Sequence, residues 1–386
     1  MEFIKKIGKS ENGSVTVYVL STLIVVLLVT TTIYIGLRNK TTTQIKQMDK
    51  INREYSLTDT DMQEAYDKAI MGTLESVKGT ETTNTTVKDN LGNKVVVPAG
   101  FKVINPNDNV TNGIVVEDVT HEATKGSQFV WIPVGDVIKD SAENKEKVTL
   151  GRYVFNEDGT IDTALSKTEP GEQIQPSEYS YYFTEGLNDS TTSNTHAKDI
   201  AVFKSKAESN HGYYIGRYEA RTNTERKSKT DKLTQITVKP DEYVYNYTTQ
   251  LQAAELSRGM YSDSNFESDL MNSYAWDTAV YFLQKFDNRT NKASLKPYSQ
   301  QNSLNTSLAS QGTNNLKVSK QDKICSLYDM ASNCREWTTE TCSDSDEPCT
   351  RRGGYYSYSI SYTSKRYHDS TSDSGDSISF RSLLYM

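Results

Sequence analysis

Residues 15–37 run for 23 positions without a charged side chain, through VYVLSTLIVVLLVTTTIYIGL. This stretch constrains the chain most. As a helix it reaches roughly 35 Å, enough for a bilayer hydrocarbon core of roughly 30 Å. No second run of the kind follows. Lys5, Lys6 and Lys9 precede it and Arg38, Lys40 and Lys46 follow, so flanking charge does not choose an orientation. A cleaved secretory signal has an apolar stretch of about 7–15 residues closed by small side chains. This run ends Tyr34-Ile35-Gly36-Leu37-Arg38. It is therefore expected to be retained as a transmembrane helix, with residues 1–14 a short cytoplasmic or leader segment.

Downstream, Ile45, Met48, Tyr55, Met62, Tyr66, Ala69 and Ile70 recur at spacings of three, four and seven. That pattern predicts an amphipathic helical stalk over 38–78. Residues 79–86, GTETTNTT, read as a polar linker. From residue 87 short β-type runs alternate with turn residues, as in DNLGNKVVVPAGFKVI and SQFVWIPV, so a domain is expected over 87–386. Within it, 136–200 reads as a long irregular insertion, 271–286 as a helix, and 288–316 as loop. The expected fold class is α+β: a loop-rich domain on a transmembrane helix and stalk, with helix the minority component.

Composition narrows the function classes. The formal charge of −7 is spread along the chain, which argues against a nucleic-acid surface. The 25 tyrosines argue against long disorder, since disordered chains are poor in aromatics. The four cysteines, Cys325, Cys334, Cys342 and Cys349, are separated by nine, eight and seven positions, which is not zinc-motif spacing. Disulfides are expected instead, with Cys342–Cys349 and Cys325–Cys334 preferred among three pairings because the loops are short. Bridges persist outside the reducing cytosol, which favours an exported C-terminal domain.

Two resemblances add to this reading. The segment around Gly13 is similar to type IV prepilin N-termini, with Ser14 and Tyr18 departing from that pattern; it implies a bacterial source and admits self-association into filaments. A set of words in order also appears: Phe129-Val130-Trp131-Ile132-Pro133-Val134, then Gly212-Tyr213-Tyr214-Ile215-Gly216-Arg217-Tyr218-Glu219-Ala220, then Ala275-Trp276-Asp277. Leu327-Tyr328-Asp329-Met330-Ala331-Ser332-Asn333-Cys334-Arg335-Glu336-Trp337-Thr338, Arg352-Gly353-Gly354 and Ser379-Phe380-Arg381 complete it. Over 127–386 these resemble the formylglycine-generating-enzyme (sulfatase-modifying factor) family, which implies a C-type-lectin-like core with a small antiparallel sheet and long loops.

The oxidase branch of that family holds copper through two cysteines after the Arg-Gly-Gly word, because soft thiolates suit Cu(I). Here that segment contains none. The iron-dependent branch needs a histidine-rich domain, and His121, His196, His211 and His368 are scattered. Enzymatic turnover is therefore not expected. The alternatives are an oxidoreductase in which Cys334, Cys342 or Cys349 substitutes, and a pilin-like structural subunit. Where the family reads Asn-Val-Trp-Glu-Trp this chain reads Asn333-Cys334-Arg335-Glu336-Trp337, so position 335 is either repacked or turned outward. The resemblance also implies calcium, a hard cation, near the oxygen donors Asn333 and Glu336.

Residues 353–386 hold six tyrosines, ten serines and three aspartates, over half of the segment. Tyrosine gives rigid contact area and serine adaptable hydrogen bonding, the composition of a binding surface. Lectin-like domains of this family are also targets of diversity-generating retroelements, which fill chosen codons with these residue types. Either way Tyr356, Tyr358, Ser359, Ser361, Tyr362, His368 and Asp369 are the expected contact residues, framed by Arg352, Gly353, Gly354, Arg366, Phe380 and Arg381. The expectation is a binding protein, held in a bacterial cell membrane by 15–37, that presents an extracellular domain to a protein or glycan and not to nucleic acid.

Overall fold

The computed structural model describes residues 71–185, 196–231, 235–263, 265–289, 296–301, 322–356 and 362–386. Twelve strands in two larger sheets organise the unit Gly72–Met386. In chain order they are β1 (Phe101–Val103), β2 (Val115–Asp118), β3 (Gln128–Pro133), β4 (Gln173–Ile174), β5 (Phe183–Thr184) and β6 (Gly212–Gly216). There follow β7 (Glu267–Leu270), β8 (Arg335–Cys342), β9 (Cys349–Arg352), β10 (Arg366–Asp369), β11 (Ile378–Phe380) and β12 (Ser382–Tyr385).

The first sheet runs β7-β12-β6-β3-β2-β1 and is antiparallel throughout. Its central strands QFVWIP, GYYIG and SLLY are buried at every position. That requires near-continuous β-branched and aromatic sequence rather than alternation. Register places Trp131 opposite Tyr214, with ring centroids 5.0 Å apart. The second sheet runs β10-β9-β8-β5-β4, antiparallel, with β11 added parallel to β8.

Three α-helices lie among the described residues: α1 (Ile200–Ser209), α2 (Gln250–Arg258) and α3 (Ser273–Lys285). Each starts at a side-chain cap, Asp199, Thr249 and Asn272 respectively, and Thr249 with Gln252 forms a capping box. The α3 helix is the longest, 13 residues buried over most of its length, with Trp276 wholly inside.

Several expectations are corrected here. The fold is mostly β rather than α+β on a helical stalk, because most elements are short paired strands. No helix among the described residues is long and apolar enough to cross a membrane, against the expectation of a single-pass transmembrane helix. At 13 residues α3 spans only about 20 Å. The expected membrane segment 15–37, and the expected stalk up to residue 70, lie outside the described residues.

The described end of that stalk is not α-helical. Gly72–Thr73 pairs in parallel with Val87 and Lys88, Leu74–Ser76 is a 3-10 turn, and Leu74 and Val77 enter the core. The polar stretch 79–86 is likewise folded. Glu81 accepts from the backbone N–H groups of Lys78 and Gly79, Asn84 bridges Ala99 N–H and the Asn265 carbonyl, and Thr85–Lys88 pairs with Lys94–Val97. Its polar side chains satisfy backbone groups, which composition alone cannot distinguish from a solvated linker.

Candidate functional site

The second sheet is pinned from below by a buried charge cluster. Glu340 on β8 receives Arg152 at 2.5 Å, Arg366 of β10 at 3.1 Å on both oxygens and Arg352 of β9 at 3.4 Å. Asp277 on α3 takes Arg366 at 2.5 Å and Arg352 as well. All five side chains are within 2% of full burial. Burial pushes the Glu340 carboxyl up, but Arg366, Arg152 and Arg352 together overcome it and hold it at about 2. Nearby Glu185 accepts from Ser273 N–H and the Thr339 hydroxyl, and burial raises it to about 7. Gly353 follows Arg352 with φ +81°; a Cβ there would stand 2.7 Å from the Met330 carbonyl oxygen and 3.3 Å from the Trp276 ring. Only glycine fits that close, left-handed position.

Above this base β8, β9 and β10 present a face of tyrosines and cations. Trp337 is fully buried, its indole N–H donating to the Thr248 carbonyl at 2.7 Å, whereas Arg335, two residues earlier at the start of the strand, is only half-buried. The substituted position is thus repacked between tyrosines. The Arg335 guanidinium carbon sits 4.1 Å from the ring centroids of both Tyr355 and Tyr367, a double cation–π stack. Beside it Arg351 donates to Asp369 at 2.9 Å and lies 3.6 Å from Asp373. Burial raises the Asp369 carboxyl to about 7, with Arg351 opposing and Asp373 adding to the rise.

Lys365 stands over the rings of Tyr179, Tyr362 and Tyr367 at 4.9, 5.4 and 5.9 Å, and the Tyr362 hydroxyl donates to Glu178 at 3.0 Å. Tyr182 is 45% exposed at the margin.

Of the expected contact residues, Tyr362, His368 and Asp369 are partly exposed on this edge of the sheet. Tyr356 is not available there. It is 6% exposed, packs with Val244 and Cys334, and donates its hydroxyl to Asp376 at 3.0 Å. Tyr358, Ser359 and Ser361 lie outside the described residues. Sequence reasoning missed Arg335, Arg351, Tyr355 and Tyr367. It also missed Tyr179, Tyr181 and Tyr182, read as part of an irregular insertion; their word EYSYYF repeats the tyrosine and serine bias of the C-terminal segment and was a usable signal.

Asn333 and Glu336 do not fit calcium. Both Glu336 oxygens are taken by Arg381, at 2.6 and 3.0 Å, and the Asn333 amide donates to Glu219 at 2.6 Å. The Arg381 guanidinium neutralises Glu336 in place of a cation, while Asn333 Oδ1 is buried without a hydrogen-bond partner.

The four cysteines are free and buried, which corrects the expected disulfides. Thr341 pairs with Cys349, so Cys342, one residue on, faces the other side of the β8–β9 hairpin. Cys334 packs with Val244 and Tyr356, Cys342 with Ile174 and Phe183. Burial raises every one of the four thiols, Cys349 to about 11. A reductant is expected to leave the melting temperature of the full chain unchanged; a fall on reduction, followed calorimetrically, would restore a bridge.

No family model matches the chain, and no curated protein matches it. Among solved structures it is similar to PvdO from Pseudomonas aeruginosa, at 13% identity over 57% of this chain and 100% of that one, with a TM-score of 0.30. A likeness that low carries no argument about fold or function.

Proposed function

We propose that this chain is a ligand-binding protein on a formylglycine-generating-enzyme-like frame over 127–386, and that its contact surface is the tyrosine and cation face of β8, β9 and β10. The observation that carries the reading is Arg335 held between Tyr355 and Tyr367. Tyrosine and arginine dominate the energetics of binding surfaces because they combine large area with directed hydrogen bonds. Here they are pre-ordered by stacking and by the buried cluster beneath, which lowers the entropy lost on association. A protein or glycan is the class of partner. Thiol oxidation finds no support, since the four thiols are buried and raised away from thiolate. Diversification, where it acts, falls on partly exposed positions such as Tyr362 and Asp369 and spares the buried Tyr356.

The test is to screen the labelled full chain on a glycan array and a displayed-peptide library, then measure the best ligand by titration. Arg335→Ala and Tyr367→Ala are each expected to weaken it about 100-fold, roughly 2.7 kcal/mol, with the melting temperature held. Leu251→Ala, at an exposed site on α2, leaves affinity unchanged. Equal affinity in all three variants, or no ligand at 100 μM or about that, overturns the proposal.

A further inference from the structure

The turn between β8 and β9 carries two carboxylates toward β10. One donor atom each from Asp344, Glu347 and His368 lie within 4.8 Å of one another. His368 Nδ1 is 2.9 Å from Glu347 Oε2 and 3.8 Å from Asp344 Oδ2. An ion pair with a protonated imidazole is the simpler account of these distances, but it should place a ring N–H on a carboxylate. The buried Nδ1 has no hydrogen-bond partner despite the 2.9 Å approach. The 2.9 Å approach matches two ligands of one cation, since ligands bound at about 2.1 Å stand about 3.0 Å apart in octahedral and about 3.4 Å in tetrahedral geometry, and Asp344 at 3.8 Å has to close in only a little on binding.

The surroundings hold these groups in place. The imidazole meets Tyr181, Tyr179 and Phe183 edge-on, at 4.9, 6.2 and 6.5 Å between centroids. The Tyr181 hydroxyl is hydrogen-bonded to Asp344. A hydrogen-bonded carboxylate ligand and a packed imidazole are the outer-shell features that orient metal ligands. The chemistry of the donors selects the ion. Calcium and magnesium favour oxygen alone, whereas one imidazole nitrogen with two carboxylates suits a borderline ion.

We propose that Asp344, Glu347 and His368 form a three-ligand site for a divalent transition cation of the zinc type, clasping the β8–β9 turn onto the edge strand β10. The remaining coordination positions fall to water. The site takes His368 out of the contact positions named above, and its metal readout does not depend on ligand binding.

The full chain, stripped with a chelator, is to be titrated with Zn2+ and separately with Ca2+ by calorimetry, with bound metal counted by mass spectrometry after desalting. The expected result is about one Zn2+ per chain, a raised melting temperature, and weaker binding of Ca2+. Glu347→Gln lies on an exposed turn and is expected to fold normally; it and His368→Ala should each weaken Zn2+ at least 100-fold. Asp346→Asn, an exposed neighbour in the same turn, should not change it. Zinc below a tenth of an equivalent, undiminished binding in both ligand variants, or a preference for Ca2+ overturns the proposal.

Discussion

Glu340→Gln is expected to lower the stability of the folded chain by about 3–5 kcal/mol, as removal of one member of a buried ion cluster does elsewhere. The reason is count as well as contact. Glu340 and Asp277 together answer Arg152, Arg352 and Arg366, all fully buried. Without Glu340 one carboxylate faces three guanidiniums that have no water to turn to. Urea unfolding at pH 7 measures the loss, and a change below about 1 kcal/mol would show that the cluster is not integral to the sheet.

The pH profile supplies a second check. Glu340 is held at about 2 against an ordinary 4.5, so its contribution is fully present above about 4.5 and is lost as pH falls through about 2. Gln removes this acid arm. Glu185 acts with the opposite sign: raised to about 7, it contributes stability below about 4.5 that is lost as pH rises through about 7. The variant profile should therefore keep the neutral-side decline and lose the acidic one.

The second large effect belongs to Arg381. Its guanidinium donates to both oxygens of Glu336, to the Gly216 carbonyl at 2.7 Å and to the Tyr328 carbonyl at 3.0 Å, tying β6, β8 and the 327–330 segment to one residue. Arg381→Met is expected to cost about 3–5 kcal/mol because it strands Glu336 in the core. Burial already raises that carboxyl to about 7 with Arg381 opposing, so loss of the guanidinium sends it further up. Arg381→Lys should recover little, since an ammonium cannot reproduce the fork. Adding Glu336→Leu to Arg381→Met should restore part of the stability, a coupling of about 1.5 kcal/mol or more in a double-mutant cycle. Additive losses would mean that the pair is not coupled.

The sequence was legible where pattern and burial coincide. Largely apolar runs such as QFVWIP and GYYIG gave central strands, and the helix expected over 271–286 is α3, with Asn272 as its cap. It was misleading where a polar residue serves the backbone. Glu81 and Asn84 looked like linker, but Glu81 closes a turn and Asn84 ties distant segments together, and the cysteines looked paired although strand parity separates Cys342 from Cys349.

Much of the candidate site was invisible for a related reason. Tyr179 and Tyr367 are 188 positions apart in the chain and share Lys365, and Arg335 gains its meaning only from rings supplied by two later segments. Composition near residue 355 located the region. It could not tell Tyr356, which faces inward, from Tyr355, which faces Arg335.

The placement of β12 between β6 and β7 has a kinetic meaning. An interior strand of the first sheet, next to its edge strand β7, is supplied by residues 382–385, long after the strands on either side have been synthesised. Until then β6 and β7 each present an unpaired hydrogen-bonding edge over an apolar interior, the condition in which strands recruit foreign partners. Cooperative closure of this sheet has to wait for residue 385, more than a hundred residues after Glu267–Leu270, the strand paired with β12 on one side, has been made.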